Sequence, residues 1–108
     1  MELFNPKKEK YITSGIDAEI PVDYQIRMFN AIEKWRLQNI KLDYLQVFKL
    51  SVERDGNGNT IQIIKHSQEV PKMSGEIKFY VEGRGIINQI FVIDDGGKYY
   101  TMLLSSEY

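Results

Sequence analysis

The run Leu42-Asp43-Tyr44-Leu45-Gln46-Val47-Phe48-Lys49-Leu50-Ser51-Val52-Glu53-Arg54, the cluster Asp55-Gly56-Asn57-Gly58-Asn59 and the answering Thr60-Ile61-Gln62-Ile63-Ile64-Lys65-His66 together decide the fold. The first run is strand-like, with Tyr44, Phe48, Leu50 and Val52 on one face and Leu45 and Val47 on the other. Asp-Gly and Asn-Gly tolerate the positive φ that a tight hairpin requires, so the second run returns antiparallel to the first. Downstream, Glu76–Val81 alternates Ile77, Phe79 and Val81 with Lys78 and Tyr80 until Gly83-Arg84-Gly85 breaks it. Ile86–Asp94 is apolar on both faces, as a central strand is. Asp95-Gly96-Gly97 then turns the chain into a last strand, Lys98–Ser105.

Upstream the period changes from two to 3.6. Pro21 suits the first position of a helix, and the pattern runs to about Gln38. Val22, Ile26, Phe29 and Ile32 form the expected core stripe, while Tyr24, Met28, Ala31 and Trp35 form a second stripe beside it. A helix resting on a sheet needs an apolar arc of about 100° or somewhat more. This one spans over half its circumference, so the second stripe is either tucked under another part of the chain or kept for a partner. Tyr11-Ile12-Thr13 is a short β-type run, Ile16–Glu19 reads as a connector, and residues 1–10 read as a loose lead-in.

The expected architecture is one α+β domain over residues 1–108. One N-terminal helix packs on a curved, mainly antiparallel sheet of five to six strands, or on a partly open barrel. A helix followed by five strands is also the order of Sm-like barrels, although that family's Asp/Asn and Gly signatures are missing from their places.

Composition narrows the chemistry. The 108 residues carry 14 Lys+Arg against 15 Asp+Glu, one His and no Cys. Disulfides, thiol nucleophiles and Cys-based metal sites are excluded, and any catalysis must rest on carboxylates, hydroxyls or one imidazole. Balanced charge disfavours nucleic acid held through phosphates without excluding it. The expectation is a cytoplasmic protein with no membrane partner, since neither an apolar leader nor a span of roughly 20 apolar residues is present.

Several motifs have plainer readings beside the functional ones. Asp55-x-Asn57-x-Asn59 copies the start of a calcium loop, but Thr60 stands where Gly is needed and His66 where a bidentate Glu is needed. It reads as a turn. Gly83-Arg84-Gly85 has Asn88 in place of a dinucleotide loop's third Gly, so the glycines belong to a strand junction, where Arg84 could still meet an anion. His66, with Glu69 and the Asp94-Asp95 turn, sketches a base with orienting carboxylates, yet no nucleophile elbow accompanies it. No cofactor and no metal is expected.

The stretches Tyr11–Gly15, Ile20-Pro21, Leu42–Phe48, His66–Pro71 and Phe91–Gly96, with Thr101–Leu104 and Glu107-Tyr108, resemble an existing family. It comprises the short uncharacterised proteins of Gram-positive bacteria and their mobile elements that are catalogued as domain of unknown function 960. The resemblance implies a small intracellular bacterial protein associated with phage or plasmid, without an assigned activity. It also marks the His66–Pro71 loop and the Asp94–Gly96 turn as places for a site.

Three functions follow as expectations. The first is a non-enzymatic protein–protein binding or regulatory module, acting as a homodimer through Tyr24, Met28 and Trp35. The second is a small-ligand or hydrolytic site around His66, Glu69, Asp94 and Asp95. The third is nucleic-acid binding.

Overall fold

The computed structural model describes residues 2–108. Six strands, β1 (Glu9–Ile12), β2 (Leu45–Arg54), β3 (Thr60–Gln68), β4 (Met73–Val81), β5 (Asn88–Ile93) and β6 (Tyr99–Leu104), form one sheet in the order β1-β6-β5-β2-β3-β4. Two helices, α1 (Ser14–Glu19) and α2 (Val22–Leu37), lie between β1 and β2. The fold is sheet-rich α+β.

This corrects the expected one-helix architecture. The short run expected at Tyr11-Ile12 is a strand, but two helices follow it, and it pairs parallel with the last strand, Ile12 opposite Met102. The edges β1 and β4 lie at opposite ends of a single open sheet, so no barrel closes. The supposed connector Ile16–Glu19 is helical because Thr13 caps it, accepting a hydrogen bond from the Ile16 N–H at 3.3 Å. Ile16 and Ile20, four residues apart, then enter the core.

The hairpin reading holds in register. Arg54 pairs with Thr60 across the turn, and Asp55 Oδ1 accepts from the N–H groups of Asn57 and Asn59, both at 2.9 Å. The Asp55 carboxylate therefore serves the turn. The segment joining β4 to β5 must cross the ends of β2 and β3, because β5 lies beyond them. Gln62 ties that crossing down, accepting from the Ile86 N–H at 2.7 Å and donating to the Ile86 carbonyl at 2.8 Å. Gly85 has φ +72, and a Cβ there would lie 2.8 Å from Val52, so the close crossing needs glycine.

The core lies on one side of the sheet. Met28 and Ile32 of α2 meet Phe48, Ile64, Ile90, Val92 and Met102 from alternate positions of four strands. Each such side chain contributes on the order of 1.5–3 kcal/mol by leaving water. The lead-in is docked as well: Phe4 is buried and packs edge-on against Tyr100 at 5.2 Å. No helix among the described residues is long and apolar enough to cross a membrane.

Helix α2 turns the expected second stripe inward and keeps only part of the first, with Ile32 buried and Phe29 packed against the core. Tyr24, Met28 and Trp35 are buried, while Val22 and Ile26 are 67% and 53% exposed. The sheet supplies partners for two of these side chains. The Tyr24 hydroxyl donates to Gln62 Oε1 at 3.0 Å, and Trp35 stacks on His66. An isolated helix carries no record of those partners.

Candidate functional site

His66 sits on β3 facing α2 and is 2% exposed. Its ring lies between two aromatic planes: Trp35 at 3.8 Å and 17°, and Phe48 at 4.3 Å and 12° between centroids. The flat faces are thus covered, and only the ring edge can meet anything else. Burial pushes the imidazole down to about 3, so it is neutral at physiological pH.

A relay of two glutamines sets its tautomer. Gln68 Nε2 donates to the carbonyls of Lys41 and Pro71, both at 2.9 Å, so the amide oxygen must be its other end. That oxygen accepts from the Asp43 N–H at 3.0 Å and from Gln46 Nε2 at 2.8 Å. Gln46 Nε2 also donates to the Asp43 carbonyl at 2.8 Å, which turns Gln46 Oε1 toward His66 Nε2 at 2.6 Å. A carbonyl oxygen only accepts, so Nε2 carries the proton and Nδ1 holds a free lone pair. Backbone groups of fixed polarity anchor every step.

Among the described residues, Nδ1 receives no hydrogen bond. His66 also lines a cleft beside α2. That cleft, about 290 Å³, opens between α2 and β4, with Trp35, His66, Gly75 and Ile77 on its floor and Arg27, Asn30 and Lys34 along the helix side. Gly75 stands directly opposite His66 in the β3–β4 ladder. Its neighbours on the inward face, Ile77 and Phe79, carry large side chains, whereas Gly75 lies beside the Trp35 ring, 3.7 Å from where a Cβ would stand.

The remaining expected site residues lie apart. Asp94 is fully buried, accepting from Lys8 Nζ at 2.8 and 3.0 Å and from the N–H groups of Phe4 and Gly96, both at 2.8 Å. Burial would raise its carboxyl, but Lys8 and those N–H groups outweigh it and hold the group below the ordinary 3.8. Asp94 continues β5 four residues beyond Ile90, itself two strands across from His66, which separates the two residues by about 16 Å. Asp95 is exposed and accepts from the Gly97 N–H at 3.0 Å. Glu69 lies exposed at the turn after β3 and lines a different cavity, beside Lys65 and Lys72. Arg84 is exposed at the crossing between Gly83 and Gly85, both at positive φ. The hydrolytic constellation is therefore not assembled. His66 and Trp35 share the cleft instead, joined by Arg27, Asn30, Lys34 and Gly75, which sequence reasoning passed over. A glycine interrupting an inward-facing apolar alternation was the available signal.

Comparison with other proteins places the chain. The family model described as staphylococcal protein of unknown function, DUF960, matches residues 9–107. The chain belongs to that family. A crystal structure of a protein of unknown function from Enterococcus faecalis is similar at 24% identity, covering 100% of this chain and 97% of that one with a TM-score of 0.70. It supports the fold. No curated protein matches.

Proposed function

We propose that this DUF960 protein is a non-enzymatic, cytoplasmic binding module whose partner is a second copy of itself, docked through the open face of the sheet. One observation carries the reading. The helices cover a single face, and the opposite face of β2, β5 and β6 presents Leu45, Val47, Phe91, Ile93 and Leu103 in adjacent rows. All five are half-buried, Phe91 packing edge-on with Tyr108 at 5.5 Å, and none belongs to the buried core. An antiparallel face left to water is ordinarily polar, and a contiguous apolar patch of this kind marks a contact surface.

Size and charge favour a self-partner. Six strands at about 4.8 Å spacing, averaging roughly seven residues, give a face of about 700 Å², near the ~800 Å² per partner of a standard interface. Sheet-on-sheet packing is a regular way to cover such a face, and two copies bury it isologously. Lys49, Lys65 and Lys78 share that face with Glu53 and Glu76. Mixed signs suit self-association better than a phosphate backbone, which calls for one sign. This interface replaces the one expected on Tyr24, Met28 and Trp35, which are committed to the core. An origin on phage or plasmid belongs to the same reading.

Sedimentation velocity over a range of concentrations tests it. Wild type is expected to sediment as a dimer and Phe91→Glu as a folded monomer by circular dichroism. A wild-type monomer at every concentration overturns the proposal, as does an unchanged dimer in both Phe91→Glu and Val47→Glu.

A further inference from the structure

On the covered side of the sheet, we infer that the cleft over His66 is a binding site for a small organic anion that also carries an N–H or O–H donor. Three independent features converge. The first is His66 Nδ1, a lone pair on a residue 2% exposed, held in acceptor form by the Gln46–Gln68 relay and without a donor among the described residues. A buried acceptor of this kind selects a ligand that brings a hydrogen.

The second feature is charge along the helix side. Arg27 and Lys34 form no ion pair among the described residues, and the Asn30 side chain makes no hydrogen bond there. The Arg27 guanidinium lies 3.8 Å over the Phe79 ring, which orients it while leaving its N–H edge free. Glu76, the carboxylate residue at the cleft rim among the described residues, follows Gly75 in β4 and so faces the other side of the sheet, where Lys78 pairs with it at 3.5 Å. An anionic group is accommodated beside Arg27, Asn30 and Lys34, with its donor directed inward.

The third is Gly75. Glycine inside a strand sacrifices packing and costs roughly 0.5–1 kcal/mol against alanine, and neither a turn nor a positive φ calls for it here. A Cβ at this position would meet only Trp35, at 3.7 Å, so the fold itself admits a side chain. A larger side chain would enter the cleft that Gly75 and His66 line. Close approach of a ligand is a recognised use of such a glycine, and the volume of about 290 Å³ suits a small metabolite.

Trp35, the single tryptophan, stacks on His66 and reports occupancy. The test titrates the intact chain with adenosine 5′-monophosphate, L-glutamate and L-lactate, following Trp35 fluorescence and the imidazole ¹⁵N resonances of His66. These probes separate a phosphate ligand from an amino acid and from a hydroxy acid. At least one is expected to saturate both signals at up to millimolar concentration, with the larger shift at Nδ1. Gly75→Ala should weaken that binding about tenfold, a loss of roughly 1.4 kcal/mol, and Gly75→Leu should abolish it. Arg27→Ala should make it less sensitive to salt. The inference is overturned if none of the three probes saturates the signals, or if a folded Gly75→Leu binds as tightly as wild type. The sheet-face dimer stands or falls separately, because Phe91 and Gly75 lie on opposite faces.

Discussion

Around Asp94 and around His66 the chain buries polar groups against the same side of one sheet, and the two places are completed in different ways. At Asp94 both carboxylate oxygens are occupied, by Lys8 Nζ and by the Phe4 and Gly96 N–H groups. The charge is balanced and the carboxylate is wholly enclosed. At His66 the Gln46–Gln68 relay satisfies one ring nitrogen and stops, and the residue lines a cleft. A closed cluster holds the chain together; an open one can take a ligand. Both looked like site candidates in the sequence, because an Asp pair and a lone His carry the same promise until their partners are known.

Breaking the closed cluster should produce the largest effect. Asp94→Ala leaves the Lys8 ammonium buried without its counter-charge, and chemical denaturation is expected to show a loss of about 3–5 kcal/mol. Adding Lys8→Met should recover most of that loss, since the pair then leaves together. A double variant as unstable as the single one would mean that the carboxylate matters through its backbone contacts instead.

Titration separates the two clusters on the pH axis. The His66 imidazole takes a proton near 6.5 when unfolded and only near 3 when folded. Between those values the unfolded chain binds the extra proton. The contribution of His66 is therefore complete above pH 6.5 and declines as pH falls, by up to about 1.4 kcal/mol per unit. Asp94 works in a lower window. Its carboxyl is held below 3.8, so its stabilisation is present above that value and is lost only as the pH falls further. Denaturation series between pH 7 and about 4.5, above the ordinary carboxylate range, should show the decline in wild type and not in His66→Phe. Equal slopes in both would remove His66 as its cause.

Gln46→Leu sharpens the comparison within the open cluster. It strips the acceptor from His66 Nε2 and one donor from Gln68 Oε1, at an expected cost of about 1–3 kcal/mol. The imidazole ¹⁵N shifts should lose their single-tautomer pattern. Retention of that pattern would show that the stacking of Trp35 and Phe48 orders the ring without the relay. The smallest effect belongs to the exposed candidates: Arg84→Ala and Glu69→Ala should each stay within about 0.5 kcal/mol of wild type by thermal denaturation.

Much of the sheet was legible because its information is local. Asp55–Asn59 sets the β2–β3 hairpin, and Asp95-Gly96-Gly97 joins strands that do pair. The Ile86–Asp94 run also occupies the interior position its two-sided apolar pattern implied, between β6 and β2. The site was legible only in fragments. His66 and Trp35 were singled out for different reasons and turn out to be stacked, whereas Gly75 lacks any side chain to attract notice.

By itself, then, the sequence determined element type wherever period and turn chemistry act over a few residues. It also determined membership of the DUF960 family, the absence of thiol chemistry, and the surplus of apolar surface on α2. Only the tertiary structure decided that β1 lies beside β6, that the sheet stays open, and that Val22 and Ile26 yield the core to Tyr24, Met28 and Trp35. The physical reason is the same in each case. Which face of an element is buried, and which of its polar atoms is satisfied, depends on groups supplied from far along the chain: Gln62 for Tyr24, Lys8 for Asp94, and Gln46 for His66.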